Sequence, residues 1–320
     1  MNILDLVKSK AGGEQAGLIM PGLPPLTYQS IGENVQRLAE TLNRFGIGRG
    51  DRVVIVMDNG PEMVLTLLAV SMVATAVPLN PKYKEEEFAF YFEDTQATAS
   101  ITLVDTMPLV HAAAAKFNVT MIEAKWNTPG NLEFEALRGL RSPRPTELAT
   151  DEDVAMVLYT SGTTSRPKRV PIRHKNMIAS AQNIANTYQL TEADRSLCVM
   201  PLFHIHGIMA STLSTLASGG TVICPRGFNA LEFWDWIAEY RPTWYSAVPT
   251  MHQTLLARAE KHRELIDKNP FRFIRSSSSS LPPVILEQME AAFHAPVLEA
   301  YSMTEATHQM ASNPLPPHPH

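Results

Sequence analysis

Short apolar runs alternate with amphipathic stretches along almost the whole chain, and this rhythm limits the fold more than any other feature. Val53 to Met57 is apolar throughout, which marks a strand buried on both faces rather than one. Strand-like runs recur at residues 76–79, 100–102, 119–122, 154–158, 196–200, 221–224, 244–248, 271–276 and 297–300. Helical patterns fill the gaps. Ile31, Val35, Leu38, Ala39, Leu42 and Phe45 follow a Ser30/Glu33 capping box, and Pro61 suits the first position of a helix through Val73. Further helices are expected from His174 to Tyr188 and from Gly207 to Ala217. The alternation predicts an α/β chain of parallel sheets with helices on both faces. So many strands favour two sheet lobes over one very wide sheet. Residues 125–150, rich in Pro, Gly, Arg and Glu, read as a surface connection. The tail from Asn313 is too rich in proline for helix or central strand.

One stretch breaks this pattern in a chemically pointed way. The apolar run from Val154 leads into Leu158-Tyr159-Thr160-Ser161-Gly162-Thr163-Thr164-Ser165-Arg166-Pro167-Lys168. A flexible turn with backbone N–H donors, five hydroxyls and a lysine suits a polyphosphate. An ordinary Ser/Thr-rich loop is the plain alternative. It is not a GxxxxGK[ST] loop, because no glycine lies between Gly162 and Gly207.

The 320 residues are 45% hydrophobic and 18% charged, which describes a globular chain rather than a disordered one. A net charge of -5 offers no general attraction to nucleic acid or to anionic membranes. Cys198 and Cys224 lack CxxC spacing, so neither a disulfide framework nor a zinc site is expected, which fits a reducing compartment. The N-terminus has no signal-like segment, and the most apolar windows are too short to span a bilayer. A cytoplasmic protein is the expectation.

The YTSGTTSRPK stretch, with Val170-Pro171 after it, resembles the phosphate loop of the adenylate-forming superfamily of acyl-CoA synthetases, luciferases and peptide-synthetase adenylation domains. Glu299-Ala300-Tyr301-Ser302-Met303-Thr304-Glu305 resembles the adenine and magnesium motif of that superfamily, and Pro201-Leu202-Phe203-His204-Ile205-His206-Gly207 its acyl-pocket entry. Order and spacing match over nearly the whole chain. The resemblance implies the two-lobed αβαβα architecture of the large N-terminal domain, here spanning residues 1–320, with ATP, Mg²⁺ and CoA as cofactors or co-substrates. It gives Thr160, Ser161, Gly162, Thr163, Thr164 and Lys168 to the β- and γ-phosphates. Glu299, Ala300, Tyr301, Ser302 and Met303 would line the nucleotide, with Tyr301 on adenine. Thr304 would bond the α-phosphate and Glu305 would bind Mg²⁺. Arg226 resembles a residue near the CoA phosphates, although a solvated loop arginine reads equally well. Ser165 and Arg169 depart from the family pattern, which commonly has glycine at both places.

Ser276 to Ser280 look at first like a linker. They follow an apolar strand and precede Leu281-Pro282-Pro283, so a pocket wall is the better reading, and the resemblance would set Ser278 and Ser279 beside the nucleotide and the acid. His204 and His206 would share a face on a strand, without a third ligand at metal spacing. By resemblance His204 gates the acyl pocket, and His206 with His308 points to the oxalate–CoA ligase branch. A pocket of His and Ser suits a small acid with a second carboxylate, whereas a fatty acid needs an apolar tunnel. An amino-acid-activating domain should offer an aspartate after Phe203, where this chain has His204.

The resemblance ends soon after the magnesium motif. The family's small barrel and its C-terminal domain with the catalytic lysine have no counterpart in the 320 residues, so a fragment or truncated product is expected. The reading is therefore an AMP-forming acid–CoA ligase fragment acting on a small carboxylic acid. A non-catalytic nucleotide-binding remnant, or a ligase for another acid, stands as the alternative.

Overall fold

A computed structural model of the chain describes residues 2–8, 13–104, 107–160 and 166–317. Among these the strands form two sheets. One has seven strands in the order Asn131–Arg138, Thr120–Thr128, Ala99–Leu103, Arg52–Val56, Thr75–Pro78, Val154–Thr160, Lys168–Arg173. The other has eight, in the order His308–Ser312, Val297–Met303, Phe273–Ser277, Trp244–Ala247, Arg195–Leu197, Thr221–Ile223, Ala16–Ile19, Leu26–Thr27. Every interior pairing is parallel, and the outermost strand at each edge runs antiparallel to its neighbour. The expected α/β class and two lobes are present, with mixed rather than purely parallel sheets.

Side-chain alternation explains how the lobes are layered. Val53 and Ile55 face one apolar core together with Trp244, Phe273 and Leu298 of the other sheet. Val54 and Val56 face a second core, closed by Phe88, Phe92 and Val110. Tyr245, Ile274 and Val297 face a third, closed by Phe233, Leu255 and Phe293. Successive strand residues point to opposite faces, so each sheet is buried twice. The first core lies between the sheets and contains the helices they share.

The helix Pro61–Val73 shows this most plainly. All thirteen of its residues are buried, Glu62 included, and an apolar surface on every side requires packing on every side. Helix Tyr28–Arg44 turns Ile31, Val35, Leu38 and Leu42 into the same core. Its cap is Thr27, whose side chain accepts the Ser30 N–H, so it begins before the Ser30/Glu33 box expected from sequence. Residues 125–150 also differ from expectation. Thr120–Thr128 and Asn131–Arg138 form a hairpin on the edge of the seven-stranded sheet, and its polar outer face disguises it as a connection. Cys198 and Cys224 are both buried and free. Among the described residues no helix is long and apolar enough to cross a membrane.

Candidate active site

Parallel strands gather their C-terminal ends on one side of a sheet, where exposed loops can form a crevice. Here the C-terminal ends of strands from both sheets come together. Thr160, the last residue of Val154–Thr160, donates its hydroxyl to Glu305 Oε1 at 3.3 Å. Glu305 sits in the single 3₁₀ turn Thr304–Ala306 that follows Val297–Met303 of the other sheet. Two motifs 145 residues apart in sequence are thereby adjacent. Thr160 also pairs in register with Lys168 across the hairpin, so the loop between them starts and ends at one point. Lys168 is exposed and makes no ion pair among the described residues. The intervening Ser161, Gly162, Thr163, Thr164 and Ser165 lie outside the described residues. Arg169 turns away to the helix Glu85–Thr95, donating to the Asp94 carbonyl at 3.0 Å.

The serine run forms a wall between the strand Phe273–Ser277 and the helix Pro283–Phe293. Ser276 and Ser277 end the strand Phe273–Ser277, and Ser277 Oγ donates to the Ala300 carbonyl at 2.7 Å and lies 3.0 Å from Ser302 Oγ. Glu299 accepts the Leu281 N–H at 2.9 Å and so fixes the far end of the run. Ser278 has a positive φ of 73° and, like Ser279, is exposed. Tyr301, 66% exposed, and Met303 present open apolar surface on the same strand.

Beneath this wall lies a buried polar cluster. Residues 206–213 form a π-helix, a widened turn that often marks functional positions. It begins at His206, which is buried, while His204 stays exposed beside Phe203. The two histidines therefore do not share a face, because they open a helix rather than lie on a strand. His206 Nε2 lies 2.6 Å from Ser246 Oγ, and Nδ1 lies 3.0 Å from Ser278 Oγ. His308 stacks against His206 with ring centroids 5.0 Å apart. It is aimed inward by an unusual backbone: Thr307 and His308 have φ of 57° and 94°, strain that persists only where the surroundings impose it. Burial holds both imidazoles well below the usual histidine pKa, assisted by the nearby Arg275 charge, so both are neutral near pH 7.

Arg275 is the residue that sequence reasoning missed. It is completely buried on Phe273–Ser277, and its five N–H groups reach Tyr188, Ser246, His206, His308 and Gln309. None of these is a carboxylate. The available signal was an arginine between the apolar Phe273-Ile274 and the serine run, within a strand expected to be buried on both faces.

A family model described as AMP-binding enzyme matches residues 22–320. The chain belongs to the AMP-binding enzyme family. It is 42% identical to the oxalate–CoA ligase of Arabidopsis thaliana over 95% of this chain and 60% of that protein. It is 41% identical to the oxalate–CoA ligase of Saccharomyces cerevisiae over 84% of this chain and 53% of that protein. The chain thus spans a little over half the length of these relatives. Among solved structures, a malonyl-CoA ligase complex with methylmalonyl-CoA and AMP superimposes with a TM-score of 0.80 at 25% identity, covering 99% of this chain and 64% of that one.

In this AMP-binding chain Arg226 has a structural task. Its guanidinium meets buried Glu62 at 2.7 and 3.0 Å, and Glu62 also accepts the Trp126 indole N–H at 2.7 Å. The pair ties the eight-stranded lobe to the helix Pro61–Val73. Removing one partner leaves a buried carboxylate unpaired, a strongly destabilising change that the half-exposed arginine moderates. Arg226→Ala is expected to cost about 2 kcal/mol, read from the urea midpoint. An unchanged midpoint would show that Arg226 is dispensable for the fold.

Proposed function

We propose that this chain is the ATP- and acid-binding portion of an AMP-forming acid–CoA ligase whose acid is a small dicarboxylate, oxalate fitting best. The observation that carries this reading is Arg275, a buried cation without an acidic partner among the described residues, beside two neutral histidines. A buried charge needs a compensating one, and the non-reacting carboxylate of a dicarboxylic acid, held through the adjacent histidines, would supply it without direct contact. A long apolar acid would leave these groups unmatched. The two oxalate–CoA ligases among the relatives support the same substrate.

A carboxylate is a nucleophile at neutral pH, so the first step needs no general base. One carboxylate oxygen forms a bond to the α-phosphorus of ATP, the bond between that phosphorus and the bridging oxygen breaks, and pyrophosphate leaves. The protein's part is alignment and charge stabilisation. Lys168 and the loop from Thr160 would hold the outer phosphates, Thr304 the α-phosphate and Tyr301 the adenine. Glu305 fits a magnesium site: it is exposed, has no cationic partner among the described residues, and would share the ion with phosphate and water oxygens. Mg²⁺ bound there would neutralise charge on the phosphates. The CoA thiol sulfur would then bond to the acyl carbon as the acyl–phosphate C–O bond breaks and AMP leaves, and Arg226 stays a candidate for the CoA phosphates only insofar as Glu62 releases it.

Calorimetry tests the two halves separately. Mg–ATP is expected to bind, weakly, and Lys168→Ala to weaken it about tenfold, the worth of one charge-assisted contact. No binding of ATP or AMP would remove the nucleotide half. Oxalate is expected to bind and acetate and hexanoate not to; indifference to oxalate with ATP bound would end the dicarboxylate assignment.

A further inference from the structure

Among the described residues, the hydrogen bonds of Arg275 fix more than its own position. A guanidinium can only donate, so every partner must present a lone pair to it. Its Nε donates to Tyr188 Oη at 2.9 Å, Nη1 to Ser246 Oγ at 3.0 Å, and Nη2 to Gln309 Oε1 at 3.1 Å. The remaining contacts are to His206 Nε2 at 3.3 Å and His308 Nε2 at 3.1 Å. Both Nε2 atoms must therefore be unprotonated, which in a neutral imidazole puts the proton on Nδ1. For His206 the single Nε2 lone pair is shared by two donors, the Ser246 hydroxyl at 2.6 Å and the Arg275 N–H at 3.3 Å. Ser246 donates its hydroxyl to Nε2, and Nδ1–H donates to Ser278 Oγ, which lies at the exposed wall. For His308 the result is different: its Nδ1 is buried and has no hydrogen-bond partner among the described residues. A buried N–H without an acceptor is costly, and native structures keep few of them.

We infer that Arg275 is a positioning residue that locks His206 and His308 as Nδ1–H tautomers, and that the His308 Nδ1–H is held for an oxygen of the acid's non-reacting carboxylate. The acid part of this statement rests on the dicarboxylate reading above; the tautomer part does not. The guanidinium never needs to touch the acid. Its five N–H groups are spent on protein acceptors, and it acts by turning both rings so that their Nε2 edges face it and their protonated edges face elsewhere. Selectivity follows from what that arrangement rejects. A monocarboxylic acid supplies no second acceptor for His308, and an amino acid brings an ammonium that would meet N–H donors. Lysine cannot substitute for Arg275, because an ammonium has three donors on one atom and cannot span both rings.

The test is long-range ¹H–¹⁵N correlation of histidine side chains in the ¹⁵N-histidine-labelled chain, first without ligand and then with oxalate and AMP. Assignment uses His206→Gln and His308→Gln. Both rings are expected to show a protonated Nδ1 and an unprotonated Nε2, with the His308 Nδ1–H shifting and exchanging more slowly once oxalate is added. Arg275→Lys is expected to mix the tautomers and to weaken oxalate binding at least about tenfold with ATP affinity unchanged. A protonated Nε2 on His308 in the unsubstituted chain overturns the inference without any variant having to fold. Oxalate binding that leaves the His308 Nδ1 signal unmoved overturns its second half. Failure of oxalate to bind at all would end the dicarboxylate reading and this second half with it, while the ligand-free spectrum still decides the tautomer lock.

Discussion

Acidification is expected to unfold this protein steeply below about pH 6.5, with little change in stability above it. The cause is a set of histidines held neutral by burial: His174, His206, His252 and His308 all have pKa values below the ordinary one of 6.5. His252 is pushed down to about 4. Its Nδ1 lies 3.2 Å from the Tyr245 hydroxyl, and its Nε2 has no side-chain hydrogen-bond partner among the described residues. Between the folded and unfolded pKa values the unfolded chain binds more protons, so stability falls as pH falls through the unfolded value and levels off below the folded one. Each ring that stays neutral costs about 1.4 kcal/mol per pH unit in that window. His252 alone amounts to about 3 kcal/mol by pH 4, and the others add to it in the same direction. Against a typical total of about 5–15 kcal/mol, this is enough to unfold the chain. Urea midpoints at half-unit steps of pH would show the slope, and His252→Phe should remove about one proton from it. A midpoint independent of pH between about 7 and 5 would mean that these rings are protonated in the folded state.

Gly207→Ala is expected to be the most damaging conservative substitution near the site. A Cβ there would stand 2.4 Å from the Pro201 carbonyl oxygen, 2.7 Å from that of Met200 and 2.9 Å from Pro201 C. All three are backbone atoms, so no side chain can swing aside. Overpacking of this kind costs about 3 kcal/mol. The strain would fall on the start of the π-helix, next to His206, which also holds Ser246 and Ser278. Loss of acid binding with ATP binding retained is the expected signature, alongside a lowered urea midpoint. Full acid affinity in the variant would show that the 201–207 turn has slack.

The same turn illustrates what a sequence discloses. The Pro201–Gly207 segment and the Glu299–Glu305 segment were legible because their residue types make little sense in a core or on a plain surface. The sheets were legible because strands buried on both faces read as unbroken apolar runs. The Asn131–Arg138 strand alternates Leu132, Phe134 and Ala136 with Asn131, Glu133 and Glu135, a period of two hidden by surrounding charge. Arg275 was harder. Its partners come from residues 188, 206, 246, 308 and 309, so nothing local announces that five acceptors converge on it. The histidine alternation misled for a related reason: periodicity assigns faces only after the element type is known, and His206 opens a helix.

The helix Pro61–Val73 has a practical bearing on redesign. Because it packs against both sheets and lacks an open side, it behaves like the axle of a wheel, touched by everything and reachable by nothing. Libraries meant to alter the preferred acid should leave its thirteen positions fixed and spend their diversity on Ser246, Ser278 and Gln309. Changes there alter the partners of His206 and Arg275, whereas a change in the axle disturbs the core that the two lobes share.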